Sequence, residues 1–219
     1  MAGTVLVDGD AAAKPGRAVA LDAVIEIVAP DHPWVSRGGV KLAAALDAFG
    51  ISAGGKRCLD VGASTGGFTH VLLERGAALV VALDVGHGQL DWRLRNDPRV
   101  VVMEGVNARH LTPAQLPGPF ALVTVDVSFI SLRLVLPALV PVLAPDGDLV
   151  ALVKPQFEAG RAQVGRGGVV RDMGVREQAI QGVIEALAGI GLRTAARIPA
   201  PIPGPAGNLE ELVHLTRRS

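Results

Sequence analysis

Four charged residues stand where chemistry could use them: Lys41, Asp126, Lys154 and Glu210. Lys41 falls in the first turn of the helical pattern "GGVKLAAALDAFG". Asp126 ends the apolar run of "FALVTVDVSF", Lys154 ends that of "DLVALVKPQ", and Glu210 opens the last strand pattern. Neighbouring strand ends would bring the four within a few ångströms. Two lysines flanked by two carboxylates can poise an amine, because a like charge and partial desolvation lower a lysine pKa while a carboxylate holds the side chain in place. The same spacing also fits two buried salt bridges. Only four of the 21 basic residues are lysine (Lys14, Lys41, Lys56 and Lys154). Where arginine serves for plain positive charge, a retained lysine offers an amine that can lose its proton; chance retention is the plainer explanation.

A second constellation opens in "CLDVGASTGGFTHVLL", residues 58–73. An apolar run ends at Asp60, glycines follow at Gly62, Gly66 and Gly67, and a helical pattern starts near Phe68. Such a corner is either a tight turn or a place where a ligand lies against the backbone. The spacing G-x-x-x-G-G departs from G-x-G-x-x-G, so a ligand with a ribose and no phosphates suits it better than a dinucleotide. Asp84 ends the next apolar run, 24 residues after Asp60, a distance at which an acid can hold ribose hydroxyls. Asn107 follows the third run and carries an amide able to pair with an adenine edge. Each of these residues is also ordinary loop and cap chemistry.

The elements that must position these groups are read from periodicity. Continuous apolar runs at "RCLDVG", "LVVALDVG", "VVVMEGVNA", "FALVTVDVSF" and "DLVALVKPQ" alternate with helical patterns at "GFTHVLLERGA", "SLRLVLPALVPVLAP" and "GVREQAIQGVIEALAGIG". "LRTAARIPAPI" and "ELVHLTRR" read as final strands. The pattern predicts an α/β fold: a mostly parallel sheet covered by helices on both faces. Ligands in such sheets sit beyond the carboxyl ends of the strands, where the residues above fall. Before it, residues 1–29 read as short β pieces, "TVLVDGD" and "AVIEIVA", around the loop "AAAKPGR". Residues 30–36 read as a linker, in which Trp34 is a packing anchor or a stacking surface for a base.

Composition narrows the function. Lys plus Arg equals Asp plus Glu, 21 each, so a nucleic-acid site must be a local patch. The single cysteine, Cys58, allows no disulfide framework and suits a reducing cytoplasm. The start, "MAGTVLVDGD", lacks the pattern of a signal peptide. No apolar run approaches the ~18 residues of a membrane span. One cysteine and five scattered histidines offer no metal-ligand spacing.

The motifs "SRGGVKL", "CLDVGASTGGFTHVLLERGA", "DVGHGQL", "LRNDPRV", "NARHL", "DVSFISL", "LVKPQFEAG", "VGRGGVVRD" and "PIPGPAGNLE" resemble the TlyA family of RNA methyltransferases, also described as hemolysin-like, which share an FtsJ-type catalytic domain. The similarity runs from about residue 34 to the end and assigns residues 37–219 to that domain. It implies a class I methyltransferase, with a Rossmann-like sheet and an antiparallel C-terminal strand, that uses S-adenosylmethionine (AdoMet) to methylate the ribose 2′-oxygen of cytidines in ribosomal RNA. The implied partner is ribosomal RNA or a ribosomal subunit, and the implied compartment is the cytoplasm.

The family's lysine–aspartate–lysine–glutamate tetrad falls on Lys41, Asp126, Lys154 and Glu210. The resemblance further implies that Asp60, Gly62, Ser64, Gly66, Gly67, Phe68 and Asp126 hold the methionine end of AdoMet, that Asp84 holds its ribose, and that Asn107 lies near the adenine. Lys154 would deprotonate or steer the 2′-hydroxyl, held by Asp126, with Lys41 and Glu210 orienting the ribose. Arg37, Arg161, Arg166 and Arg171 would meet RNA, the last three from a flap, "FEAGRAQVGRGGVVRD". Such proteins open with an S4 RNA-binding domain, of which residues 1–29 resemble only the tail; the expectation is a truncated product with weakened substrate affinity. Competing readings are a non-catalytic RNA-binding factor, a membrane-lytic protein and a small-molecule methyltransferase. The absence of a span and of a strongly amphipathic cationic helix disfavours the second, and a site with two lysines disfavours the third.

Overall fold

The computed structural model describes residues 5–11, 16–28 and 31–218. Most of the expected "AAAKPGR" loop, and the first linker residue, Pro30, lie outside the described residues. Three short strands, β1 (Val5–Val7), β2 (Asp10–Ala11) and β3 (Ile25–Ile27), form an antiparallel sheet in the order β2-β1-β3. Ile25 and Ile27 of β3 are exposed, whereas Val5, Leu6 and Val7 of β1 are half-buried.

The remainder is one sheet of seven strands. Its elements are α1 (Gly38–Phe49), β4 (Arg57–Val61), α2 (Gly67–Glu74), β5 (Leu79–Leu83), α3 (Trp92–Arg95), β6 (Val100–Met103), β7 (Phe120–Val125), α4 (Leu132–Leu139), β8 (Leu143–Val153), α5 (Pro155–Glu158), α6 (Met173–Ala188), β9 (Leu192–Pro199) and β10 (Glu211–Arg217). The strand order is β6-β5-β4-β7-β8-β10-β9. Pairings from β6 through β8 are parallel, whereas β10 runs antiparallel to both β8 and β9.

The apolar runs are continuous because both faces are covered. Leu59, Val61, Val123, Val125 and Val153 pack on one face against Leu136 of α4 and Ile180 and Val183 of α6. Cys58, Val80, Leu122 and Val150 pack on the other against Leu42 and Leu46 of α1 and Val71 and Leu72 of α2.

Strand and helix bounds depart from the sequence expectation in a few places. The helix expected over "SLRLVLPALVPVLAP" stops at Leu139 and passes through a tight turn, Val140–Val142, into β8. Pro141 lacks the N–H that would continue the ladder. The last strand begins at Glu211 rather than Glu210. The short helices α3 and α5 carry too few residues to show a period.

Two features of this topology build the site. The chain steps outward from β4 to β5 and β6, then returns to the other side of β4 with β7, which opens a crevice between the ends of β4 and β7. Antiparallel β10 brings its starting residues, not its last ones, to the same edge.

Candidate functional site

Two cavities open on that edge. The larger, about 570 Å³, is lined by residues that include Ser36, Arg37, Lys41, Phe68, Lys154 and Glu210. The smaller, about 350 Å³, is lined by Leu83, Asp84, Val106, Asn107, Ile130 and others. Gly62, Ser64, Asp126, Ser128 and Phe129 line both, so the two are halves of one cleft that meet at the ends of β4 and β7.

All four charged residues face the larger half as two ion pairs. Lys41 Nζ lies 2.5 Å from Glu210 Oε2, with both side chains almost fully buried. Lys154 Nζ lies 2.7 Å from Asp126 Oδ1 and donates to Ser128 Oγ at 2.8 Å. Each pair joins distant segments: α1 with the loop before β10, and the end of β8 with the end of β7. The Asp126 N–H donates to the Val61 carbonyl at 2.9 Å, which fixes the carboxylate at the crevice. Asp126 Oδ1 is buried with no aligned hydrogen bond. The salt-bridge alternative is present in both pairs, and both line the cavity.

The glycine corner has a third explanation. Gly62 has φ +84°, and a Cβ there would lie 2.4 Å from the Asp126 carbonyl oxygen. What lies against that backbone is the chain itself. Gly66 lines neither cavity; a Cβ there would strike Leu90 and Leu94, so it serves the packing of α2 and leaves the expected cofactor set. Gly67 lines the larger half but is chiefly a close approach of α2 to α1, since a Cβ would meet Ser36 Oγ at 2.2 Å and the Gly39 nitrogen at 3.0 Å. Phe68 is buried at the wall of the larger half.

Asp60 also leaves the expected cofactor set. Strand alternation turns it into the core, where it is fully buried. Its carboxylate accepts from Thr69 Oγ1 of α2 at 2.7 Å and Thr124 Oγ1 of β7 at 3.0 Å. Burial pushes its pKa up to about 7 despite those two donors.

Asp84 and Asn107 stand in the smaller half. Asp84 accepts from the Ser64 N–H at 2.8 Å and the Gly86 N–H at 2.7 Å, which closes the loop after β4 onto the end of β5. Ser64 has φ +48° and lines both halves. The Asn107 side-chain oxygen accepts from the Arg109 N–H at 3.0 Å, so part of its amide is already a cap.

The arginines do not act as one group. Arg37 lines the larger half and reaches the Pro203 carbonyl. Arg166 and Arg171 line a separate hollow of about 430 Å³ with Gln163 and Asp172. Arg161 is exposed at the start of a one-turn helix, Arg161–Gln163. From that flap Phe157 lines the larger half at its start, and Gly167 and Gly168 line it farther on. Buried Asn208 holds the two glycines, accepting from the Val170 N–H at 3.0 Å and donating to the Gly168 carbonyl at 2.9 Å.

Trp34 donates to Glu74 Oε2 at 2.7 Å and covers Gly39, the packing-anchor reading. Sequence reasoning did not single out Ser128, Asn208, Phe157 or Phe129 as site residues. Phe129 was legible as an apolar residue just after a strand-end aspartate. It is 92% exposed with φ +64°, and its ring is 5.1 Å from that of Phe157. Among the described residues, no cluster of three or more His, Cys, Asp or Glu could hold a metal ion.

Comparison with known proteins points the same way as this geometry. The FtsJ-like methyltransferase family model matches residues 34–217. A 16S/23S rRNA (cytidine-2′-O)-methyltransferase, TlyA of Mycobacterium tuberculosis, is 53% identical over 98% of this chain and 80% of its own length. Hemolysin A of Brachyspira hyodysenteriae is 42% identical over 98% of this chain and 89% of its own. The solved structure of a candidate hemolysin from Streptococcus thermophilus superposes with a TM-score of 0.87 at 43% identity, covering 100% of this chain and 80% of that one.

Proposed function

Because the chain belongs to the FtsJ-like methyltransferase family, we propose that it methylates the ribose 2′-oxygen of cytidine in ribosomal RNA, with AdoMet as methyl donor. The observation that carries this reading is the cleft's division, with Asp126 shared by both halves and Lys154 against it at 2.7 Å. The smaller half suits an adenosine: apolar walls at Leu83, Val106 and Ile130 for the base, and the Asp84 carboxylate for ribose hydroxyls. The Asp126 carboxylate, which lines both halves, complements a cationic sulfur. When bound, AdoMet supplies a methyl group on that sulfur, already activated for transfer.

The chain's own task is then alignment and proton handling. A 2′-hydroxyl holds its proton at neutral pH and is a poor nucleophile. In the larger half Lys154 takes or steers that proton, and Asp126 holds the amine. The Lys41–Glu210 pair, tied across two segments, orients the ribose. Arg37 at the cavity wall and the arginines of the flap meet phosphates. Phe129, exposed where the halves meet, offers a face on which a base can stack. The small sheet of residues 5–28 belongs, in this reading, to an S4-like RNA-binding element, and the work is done in the cytoplasm. Two intact ion pairs lining a cavity argue against a catalytically silent RNA-binding factor. No helix among the described residues is long and apolar enough to cross a membrane.

Lys154→Arg tests the reading. It keeps the charge and removes an amine that can give up its proton. We expect unchanged AdoMet affinity by calorimetry and a loss of about 10²-fold or more in 2′-O-methylcytidine formed on ribosomal RNA, read by mass spectrometry. A variant that methylates at the wild-type rate overturns the role of the amine.

A further inference from the structure

We propose that Ser128 is a positioning residue that aims the Lys154 amine at the substrate; this rests on the reading of Lys154 as the group that handles the 2′-hydroxyl proton. Ser128 stands two residues beyond Asp126 on the loop that leaves β7, and it lines both halves of the cleft. Its Oγ accepts from Lys154 Nζ at 2.8 Å while Asp126 Oδ1 stands 2.7 Å from the same nitrogen. The amine is therefore gripped from two sides.

The consequence follows from the shape of the nitrogen. A lysine Nζ is tetrahedral, with Cε at one corner. As a neutral amine it carries two N–H bonds and one lone pair. Ser128 accepts one N–H in an aligned hydrogen bond, while Asp126 Oδ1 attracts the same nitrogen as an ion-pair contact without one, and the lone pair takes the third direction. Lys154 lines the larger half, so that direction is available to the cavity. With the unaligned Asp126 contact alone, the amine would rotate about its Cε–Nζ bond and turn an N–H toward the hydroxyl. In the step itself the ribose O–H bond breaks and an N–H bond forms. Lys154 becomes an ammonium, and the electron pair of the O–H bond stays on the oxygen that becomes methylated. The ammonium's new proton points into the cavity, where solvent can collect it after product leaves. The ammonium keeps the same hydrogen bond to Ser128 and the same ion pair with Asp126, so Ser128 orients the nitrogen in both protonation states.

The test compares Ser128→Ala, Ser128→Thr and Lys154→Arg in the full chain. Ser128→Ala is expected to lower kcat by about ten- to a hundredfold, with KM for ribosomal RNA, AdoMet affinity and melting temperature close to wild type. Ser128→Thr keeps the oxygen and should recover most of that loss. A readout independent of turnover comes from the side-chain nitrogens. With four lysines in the chain, ¹⁵N-lysine spectra can be assigned by substitution. The Lys154 ammonium signal, slowed in exchange by the Ser128 acceptor and the Asp126 ion pair, should broaden in Ser128→Ala and persist in Ser128→Thr. Wild-type kcat in Ser128→Ala beside an inactive Lys154→Arg overturns the role of Ser128 and leaves that of Lys154 standing. Loss of AdoMet affinity in Ser128→Ala also overturns it, by making Ser128 a cofactor contact. An active Lys154→Arg removes the premise and the inference together.

Discussion

Asp60 separates a residue that looks functional from one that is. Its position at a strand end beside the glycine corner suggested a ligand contact, yet its carboxylate is enclosed by Thr69 and Thr124. Burial raises its pKa from 3.8 to about 7. In the unfolded chain the group ionises near its ordinary value, so between about pH 4 and pH 7 the folded state binds more protons than the unfolded one. Stability from this group is therefore present at acidic pH and falls as pH rises through that window. Asp60→Asn removes the titration while keeping the shape. Urea unfolding at several pH values should show the variant gaining on the wild type from pH 4 to 7, by an amount on the order of 4 kcal/mol at neutral pH. A constant difference across the window would mean that Asp60 does not titrate there. AdoMet affinity should be little changed, since Asp60 lines neither half of the cleft.

Between elements, the decisive contacts are close approaches of backbone. The end of β4 meets the end of β7 at Gly62, where φ is +84° and a Cβ would lie 2.4 Å from a carbonyl oxygen. A valine or even an alanine there would displace the segment that carries Asp126 and Ser128. Gly62→Ala is expected to destabilise the fold by about 1–3 kcal/mol and to lower methyl transfer, with differential scanning calorimetry as the measure of the first. A variant with unchanged melting temperature would show that the corner has slack. The β9–β10 hairpin contributes in the same way. Because β10 is antiparallel, the loop before it delivers Glu210 to Lys41 and Asn208 to the flap. One topological choice supplies both an acid and a clasp.

At the scale of the whole molecule, charge is balanced at 21 to 21, so binding to RNA depends on a few arginines rather than a general field. Arg161, Arg166 and Arg171 form no ion pair among the described residues, and Arg37 touches only a carbonyl. With about four phosphate contacts, affinity for ribosomal RNA should fall with salt with a log–log slope magnitude near ~3. Titrations at several salt concentrations measure it, and replacing Arg166 and Arg171 together should lower the slope by roughly 1.4–1.8. Tight binding indifferent to salt would shift recognition to uncharged surfaces such as Phe129.

The fold was legible in the sequence because burial on both faces writes continuous apolar strands, and their alternation with helices leaves few topologies. The ends of those strands named Asp84, Asn107, Asp126 and Lys154 as groups at one edge, since all parallel strands finish on the same side. Tertiary structure decided what spacing cannot carry. Strand alternation turned Asp60 inward, a residue-level direction hidden by an apolar run with no period. Leu90 and Leu94 claimed Gly66, and the Asp126 carbonyl claimed Gly62, because a glycine records that something is close without recording what. Ser128 and Asn208 gained their roles from partners 26 and 38 residues away. A short polar side chain becomes a clasp or a guide only when folding brings its partner within hydrogen-bond reach.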